Sequence, residues 1–116
     1  MSAKVVNKEW GYEIWLANNL DENYCGKILY IKPGHSSSLH YHAEKHETFY
    51  ILEGGLRVET INTETTEKNM TVLKEGDTME IPRFLPHRLI PAGQKPVKFV
   101  EISTFHRDSD SYRIEK

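Results

Sequence analysis

GHSSSLHYHAEKHETFYILEG, residues Gly34–Gly54, holds three of the four residues on which the reading of this chain turns: His40, His42 and Glu47. On a strand, residues two apart point to the same face, so His40 and His42 aim at a common point. Glu47 opens the next apolar run after a short polar turn at Ala43–His46, and a hairpin there would set it beside the histidine pair. The fourth residue, His87, lies in GDTMEIPRFLPHRLIP, Gly76–Pro91, and comes from a distant strand. Neutral imidazoles and a carboxylate are ligands for divalent first-row metals. Three nitrogens and one oxygen suit Zn, Fe, Mn, Ni or Co, and leave positions open for a substrate on an octahedral ion. His35, His46 and His106 fall off this pattern. His46 neighbours Glu47 and so takes the other strand face, and His35 and His46 are expected to face solvent.

Outward from this stretch, turn clusters interrupt every apolar run within about ten residues, the rhythm of a β-sandwich or barrel. Nothing reads as a long helix. The strand candidates are Tyr12–Ala17, Gly26–Ile31, Ser38–His42, Thr48–Leu52, Leu56–Ile61, Thr71–Leu73, Thr78–Ile81, His87–Ile90 and Val97–Thr104, all rich in β-branched and aromatic residues. The expectation is an all-β fold, a small antiparallel β-barrel of the jelly-roll type. In Thr48–Leu52 both faces are apolar. Phe49 and Ile51 share the parity of Glu47 and should point inward, which leaves Tyr50 and Leu52 outside. An outward apolar stripe on so small a domain predicts a partner subunit, most simply a two-fold homodimer. The competing expectation is that the segment Val5–Trp15 folds over it.

The chain has 116 residues, read as one domain over 1–116. A net charge of −2 with interspersed signs gives no basic stripe and argues against nucleic acid as a partner. Met1–Trp10 lacks the apolar core of a signal peptide, and no run approaches the ~18 apolar residues of a membrane span. The single cysteine, Cys25, cannot form an internal disulfide and reads as a buried small hydrophobe, which fits a cytoplasmic location.

The spacing around the four ligand types is specific. Five residues separate Gly34 from His40, four separate His42 from Glu47, six separate Glu47 from Gly54, and five separate Gly76 from Pro82, before His87. This resembles the two signature motifs of the cupin superfamily: Gly, His-x-His, Glu, Gly in the first, and Gly, Pro, Gly, His, Asn in the second. The first is complete; in the second, Phe84 stands where the family has Gly and Pro91 where it has Asn. The resemblance spans Lys27–Thr104 and implies the double-stranded β-helix barrel. The ends carry it further. Trp10 with Gly11, Lys27, Ser38 with Leu39, Glu101, and Asp110 with Arg113 are similar to the small cupin domain of type II mannose-6-phosphate isomerases. That similarity implies a small sugar or sugar-phosphate substrate and an aldose–ketose isomerisation or epimerisation. The metal would polarise the carbonyl and acidify the neighbouring C–H. Lys27, Glu101 and His106 are candidates for the base or the substrate grip, Lys27 on the strength of the resemblance. Arg113 could serve a charged substrate. Glu101 lies in the apolar run VKFVEIST, so it is expected either at the barrel mouth or paired with a cation. Two other classes share the ligand set: an iron-dependent dioxygenase, and a non-catalytic cupin that binds a small ligand.

Overall fold

The computed structural model describes residues 1–115. Two antiparallel sheets face each other. The first has strand order β1 (Lys4–Lys8), β2 (Gly11–Asn19), β3 (Tyr24–Ile31), β10 (Val97–Ser103), β5 (Glu47–Glu53) and β8 (Thr78–Ile81). The second runs β11 (Tyr112–Glu115), β4 (Leu39–Tyr41), β9 (His87–Pro91), β6 (Leu56–Ile61) and β7 (Lys68–Leu73). A single 3-10 turn at Asp108–Asp110 is the helical element among the described residues. The architecture is the expected jelly roll.

Inward-facing positions follow the period of two, and their chemistry changes along each strand. On β3 the buried residues run from Ile31 and Leu29 to Lys27 and Cys25; on β10 from Val97 and Phe99 to Glu101 and Ser103; on β5 from Ile51 and Phe49 to Glu47. Register aligns the grades. Phe99 pairs with Leu29 and Ile51, Glu101 with Lys27 and Phe49, and Ser103 with Cys25 and Glu47. One end of the interior is therefore an apolar plug, in which Phe49 and Phe99 meet edge to face with ring centroids 5.2 Å apart. Each fully buried side chain of this size contributes about 1.5–3 kcal/mol. The other end is left polar, and the site lies there.

Two turns show why the motif residues are what they are. Gly54 has φ 78°, and a Cβ placed on it would lie 2.3 Å from the Pro96 carbonyl oxygen, so the position tolerates no side chain. Phe84 has φ 69°, the left-handed region, where the family's second motif carries Gly. The turn thus keeps its shape without the glycine, at a cost of about 1–2 kcal/mol, held by the Phe84 N–H donating to the His42 carbonyl at 2.7 Å.

Two expectations are corrected. β4 and β5 do not form a hairpin: they lie in different sheets, and Ala43–His46 crosses between them. The sequence there offers no Asn-Gly or Gly-X pair to close a tight turn. Instead the backbone N–H groups of Ala43, Glu44 and Lys45 all donate to the Asp110 carboxylate, at 2.9–3.0 Å. The segment Val5–Trp15 does not cover Tyr50 and Leu52; β1 extends the far edge of the first sheet beside β2. β1 and β11 were also not anticipated, because edge strands with mostly or wholly exposed side chains show no burial alternation. Tyr50 and Leu52 are exposed as expected, and Cys25 is buried.

Candidate metal centre and pocket

His40 on β4 is the direct cross-strand partner of His87 on β9, and His42 follows β4 by one residue. Ring centroids are 4.5 Å apart for His40 and His87, 5.0 Å for His40 and His42, and 5.6 Å for His42 and His87. One nitrogen from each ring lies within 4.8 Å of the others, a grouping able to hold a metal ion. Glu47 reaches in from the opposite sheet. Its Oε2 is 3.3 Å from His87 Nε2 and 3.6 Å from His42 Nε2.

Hydrogen bonding fixes which nitrogens face inward. His40 Nδ1 is 2.8 Å from the Ser38 carbonyl, His87 Nδ1 is 2.9 Å from the Leu85 carbonyl, and His42 Nδ1 is 2.9 Å from the Asp110 carbonyl. A carbonyl oxygen can only accept, so each Nδ1 carries the proton and donates it. Burial, reinforced by the neighbouring His87, lowers His40 to about 3, and burial with the nearby Lys45 charge lowers His42 to about 4. Both rings are therefore neutral at pH 7 and present bare Nε2 lone pairs. Facing them is Glu47 Oε2, buried and without a hydrogen-bond donor. Burial alone would raise the Glu47 carboxyl, but the charge of Lys45 outweighs it and holds the group well below its ordinary value. The result is a buried cluster of nitrogen and oxygen electron-pair donors turned toward one point, an arrangement that fits a cation.

Lys45 is the residue the sequence reading overlooked. It is 3 % exposed. Its Nζ lies 3.0 Å from Glu101 Oε2, 3.1 Å from His106 Nδ1 and 3.5 Å from Glu47 Oε1, so its three N–H donors have three acceptors. Burial opposes the charge, yet Glu101 and Glu47 overcome it and keep the ammonium firmly protonated. The signal was the shared parity of residues 45, 47, 49 and 51, masked by the polar context of the turn. Because Lys45 donates to His106 Nδ1, His106 Nε2 carries the proton and donates to Asp108 Oδ1 at 2.8 Å. Burial and Lys45 lower His106.

Glu101 is buried and paired with a cation, one of its two expected alternatives; Ser103 Oγ also donates to its Oε2 at 3.1 Å. Lys27 is 1 % exposed, contrary to the ordinary habit of a strand lysine. It sits 3.4 Å from Glu13 Oε1 and 4.4 Å from the centroid of the Trp15 ring. Glu13 was not anticipated; it also accepts from Trp15 Nε1 at 2.9 Å. Arg113, the cross-strand partner of His40, is exposed at the mouth. Glu13, Lys27, Lys45, Glu101 and Arg113 line one cavity of about 640 Å³ with the histidine cluster. His35 is exposed, while His46 is half-buried on the outer side and pairs with Glu80.

The family model that describes the cupin domain matches residues 27–103. The chain is a cupin. Among curated proteins it is 29% identical over 97 residues to a mannose-1-phosphate guanylyltransferase of Sinorhizobium fredii, covering 84% of this chain and 17% of that protein. Among solved structures, the capsular polysaccharide assembling protein CapF from Staphylococcus aureus superimposes with a TM-score of 0.87 at 16% identity, over 100% of this cupin and 33% of that chain. Bacillus subtilis oxalate decarboxylase, a protein with Mn(II) centers, gives a TM-score of 0.80 at 20% identity, over 98% and 30%. At these identities the structural likeness establishes the fold alone. The cupin spans between about a sixth and a third of the length of these relatives. Among the described residues, no helix is long and apolar enough to cross a membrane.

Proposed function

We propose that this cupin holds one divalent cation through His40, His42, Glu47 and His87 and acts on a small sugar or sugar phosphate, as an aldose–ketose isomerase or epimerase. The observation that carries the metal is the convergence of neutral Nε2 lone pairs on an orphaned, buried carboxylate oxygen. Mixed nitrogen and oxygen donors suit Zn, Mn, Fe, Ni or Co. When bound, the ion supplies Lewis-acid polarisation of a carbonyl. The cavity volume lies in the range that encloses a small ligand. A sugar substrate is supported by the relative whose name carries mannose-1-phosphate. In this reading Glu101 moves the proton between adjacent carbons. Lys27, hydrogen-bonded to Glu13 and set over the Trp15 ring, keeps N–H donors for a substrate oxygen. Lys45 has none to spend; it neutralises Glu47 and Glu101. Arg113 at the mouth would meet a phosphate.

The test is proton NMR in deuterium oxide on the metal-loaded protein with a panel of aldoses, ketoses and their phosphates. The C2 proton of the substrate should exchange with solvent. Glu101→Gln should keep the metal and slow exchange by about 10²–10⁴-fold. No exchange with any of the panel at full metal occupancy would leave a small-ligand-binding cupin, and oxygen uptake by the iron-loaded protein would point to a dioxygenase.

The same reading includes a homodimer. Tyr50, Leu52 and Ile102 are 41 %, 39 % and 62 % exposed on the outer face of the first sheet, where β5 and β10 are neighbours. Light scattering should give twice the chain mass, and Ile102→Lys should give monomer. A wild-type monomer at micromolar concentration would remove this part.

A further inference from the structure

We infer that Asp110 is a positioning residue for the metal centre, coupling the C-terminal strap, residues 105–115, to His42. The inference rests on the reading of the histidine cluster as a metal site and goes beyond it.

The three histidines are not oriented alike. His40 and His87 each donate Nδ1–H to a carbonyl two residues earlier, Ser38 and Leu85, so their ring orientation is set locally, by the segments that lead into their strands. His42 instead donates to the carbonyl of Asp110, 68 residues away. That carbonyl belongs to a residue anchored through its side chain as well. The Asp110 side chain, 1 % exposed, is clamped by the three N–H groups of Ala43, Glu44 and Lys45. One residue thus does two things at once. Its backbone fixes the ring of His42, and its carboxylate shapes the turn that delivers Lys45 to Glu47 and Glu101.

The rest of the strap is tied down independently. Asn18 and His106 exchange side-chain and backbone hydrogen bonds at 2.8 and 3.0 Å, the Phe105 N–H donates to Asn23 Oδ1 at 3.0 Å, and Tyr112 stacks on Tyr41 with centroids 5.1 Å apart. Loss of the Asp110 clamp should therefore leave the strap docked but free to shift by a fraction of an ångström, which the ring of His42 would follow. Partners that orient a metal-ligating histidine typically set affinity by 10- to 100-fold. Linkage makes the effect reciprocal: an ion that fixes His42 must also tighten the Asp110 clamp.

The experiment uses the full chain and Co²⁺ as probe. Asp110→Ala and Asp110→Asn are prepared, the second nearly isosteric in case the first fails to fold. Circular dichroism of the metal-free proteins should match wild type, while the Co²⁺ dissociation constant rises about 10- to 100-fold. Wild-type Co²⁺ protein should show hyperfine-shifted, solvent-exchangeable N–H signals for its histidines, and one of them should broaden or exchange faster in the variants. In wild type alone, Co²⁺ should slow amide hydrogen exchange at Ala43, Glu44 and Lys45. A folded variant with affinity within about twofold of wild type, or unchanged exchange at those three amides, overturns the coupling. Failure of wild type to bind Co²⁺ overturns the metal reading as well, which separates the two.

Discussion

Replacing His42 by alanine is expected to weaken divalent-ion binding by more than about hundredfold, since changes outside the ligand shell alone cost up to that much. At stoichiometric loading, elemental analysis should find less than about a tenth of the metal bound by wild type. The remaining Nε2 atoms of His40 and His87 and the Glu47 carboxylate would form an open three-donor site. His35→Ala is the matched control, because that ring is exposed and its Nδ1 meets the nearby Pro33 carbonyl. Full occupancy in the His42 variant would place the ion elsewhere.

The second large effect concerns stability. Lys45→Met keeps the aliphatic stem but removes the cation between Glu47 and Glu101, whose side chains are 2 % and 4 % exposed. Breaking a buried pair from one side costs about 3–5 kcal/mol, which for a domain of this size lowers Tm by roughly 10–25 °C. Thermal unfolding of the metal-free proteins measures it. The pH dependence has a definite sign. Glu47 is lowered from 4.5 to about 2 because the Lys45 charge overcomes the burial that would raise it. Its contribution in wild type is therefore present above pH 4.5 and lost as pH falls toward 2. The gap between wild type and Lys45→Met should be wide at neutral pH and narrow below that point. Metal loading should restore part of the loss, and Lys45→Met with Glu101→Gln should be more stable than Lys45→Met alone. A variant as stable as wild type would show that the ammonium is dispensable.

The four signals that made the fold legible were period-two alternation, regularly spaced turns, and the fixed distances from Gly34 to Gly54 and from Gly76 to His87. These are local properties, and they survive because a barrel interior imposes parity strand by strand. Tyr50 and Leu52 outside, with Phe49 and Ile51 inside, follow from parity alone. What was not legible depended on three-dimensional closure. Lys45 shares the inward parity of Glu47 but lies in a polar turn outside any strand, and only the sheet-to-sheet crossing at Ala43–His46 shows that the parity carries on into that turn. Glu13 reaches Lys27 because β2 lies beside β3, a pairing whose side-chain partners no local pattern names. Asp110 was legible as part of a tail similar to that of a family, but its carboxylate bonds to a turn some 65 residues away carry no sequence signature.

In the second sheet, β4 and β9 are joined by one ladder pair, His40 with His87. It is flanked by irregular bonds, Ser37 N–H to the Leu89 carbonyl at 3.0 Å on one side and Phe84 N–H to the His42 carbonyl at 2.7 Å on the other. The histidine cluster therefore straddles a seam where β11 and β4 meet the rest of that sheet. An ion held there would join chain segments far apart in sequence, and through Glu47 would bolt one sheet to the other. Cross-links that close long loops act mainly by restricting the unfolded chain. The metal in this cupin would thus be a fastener as well as a reagent.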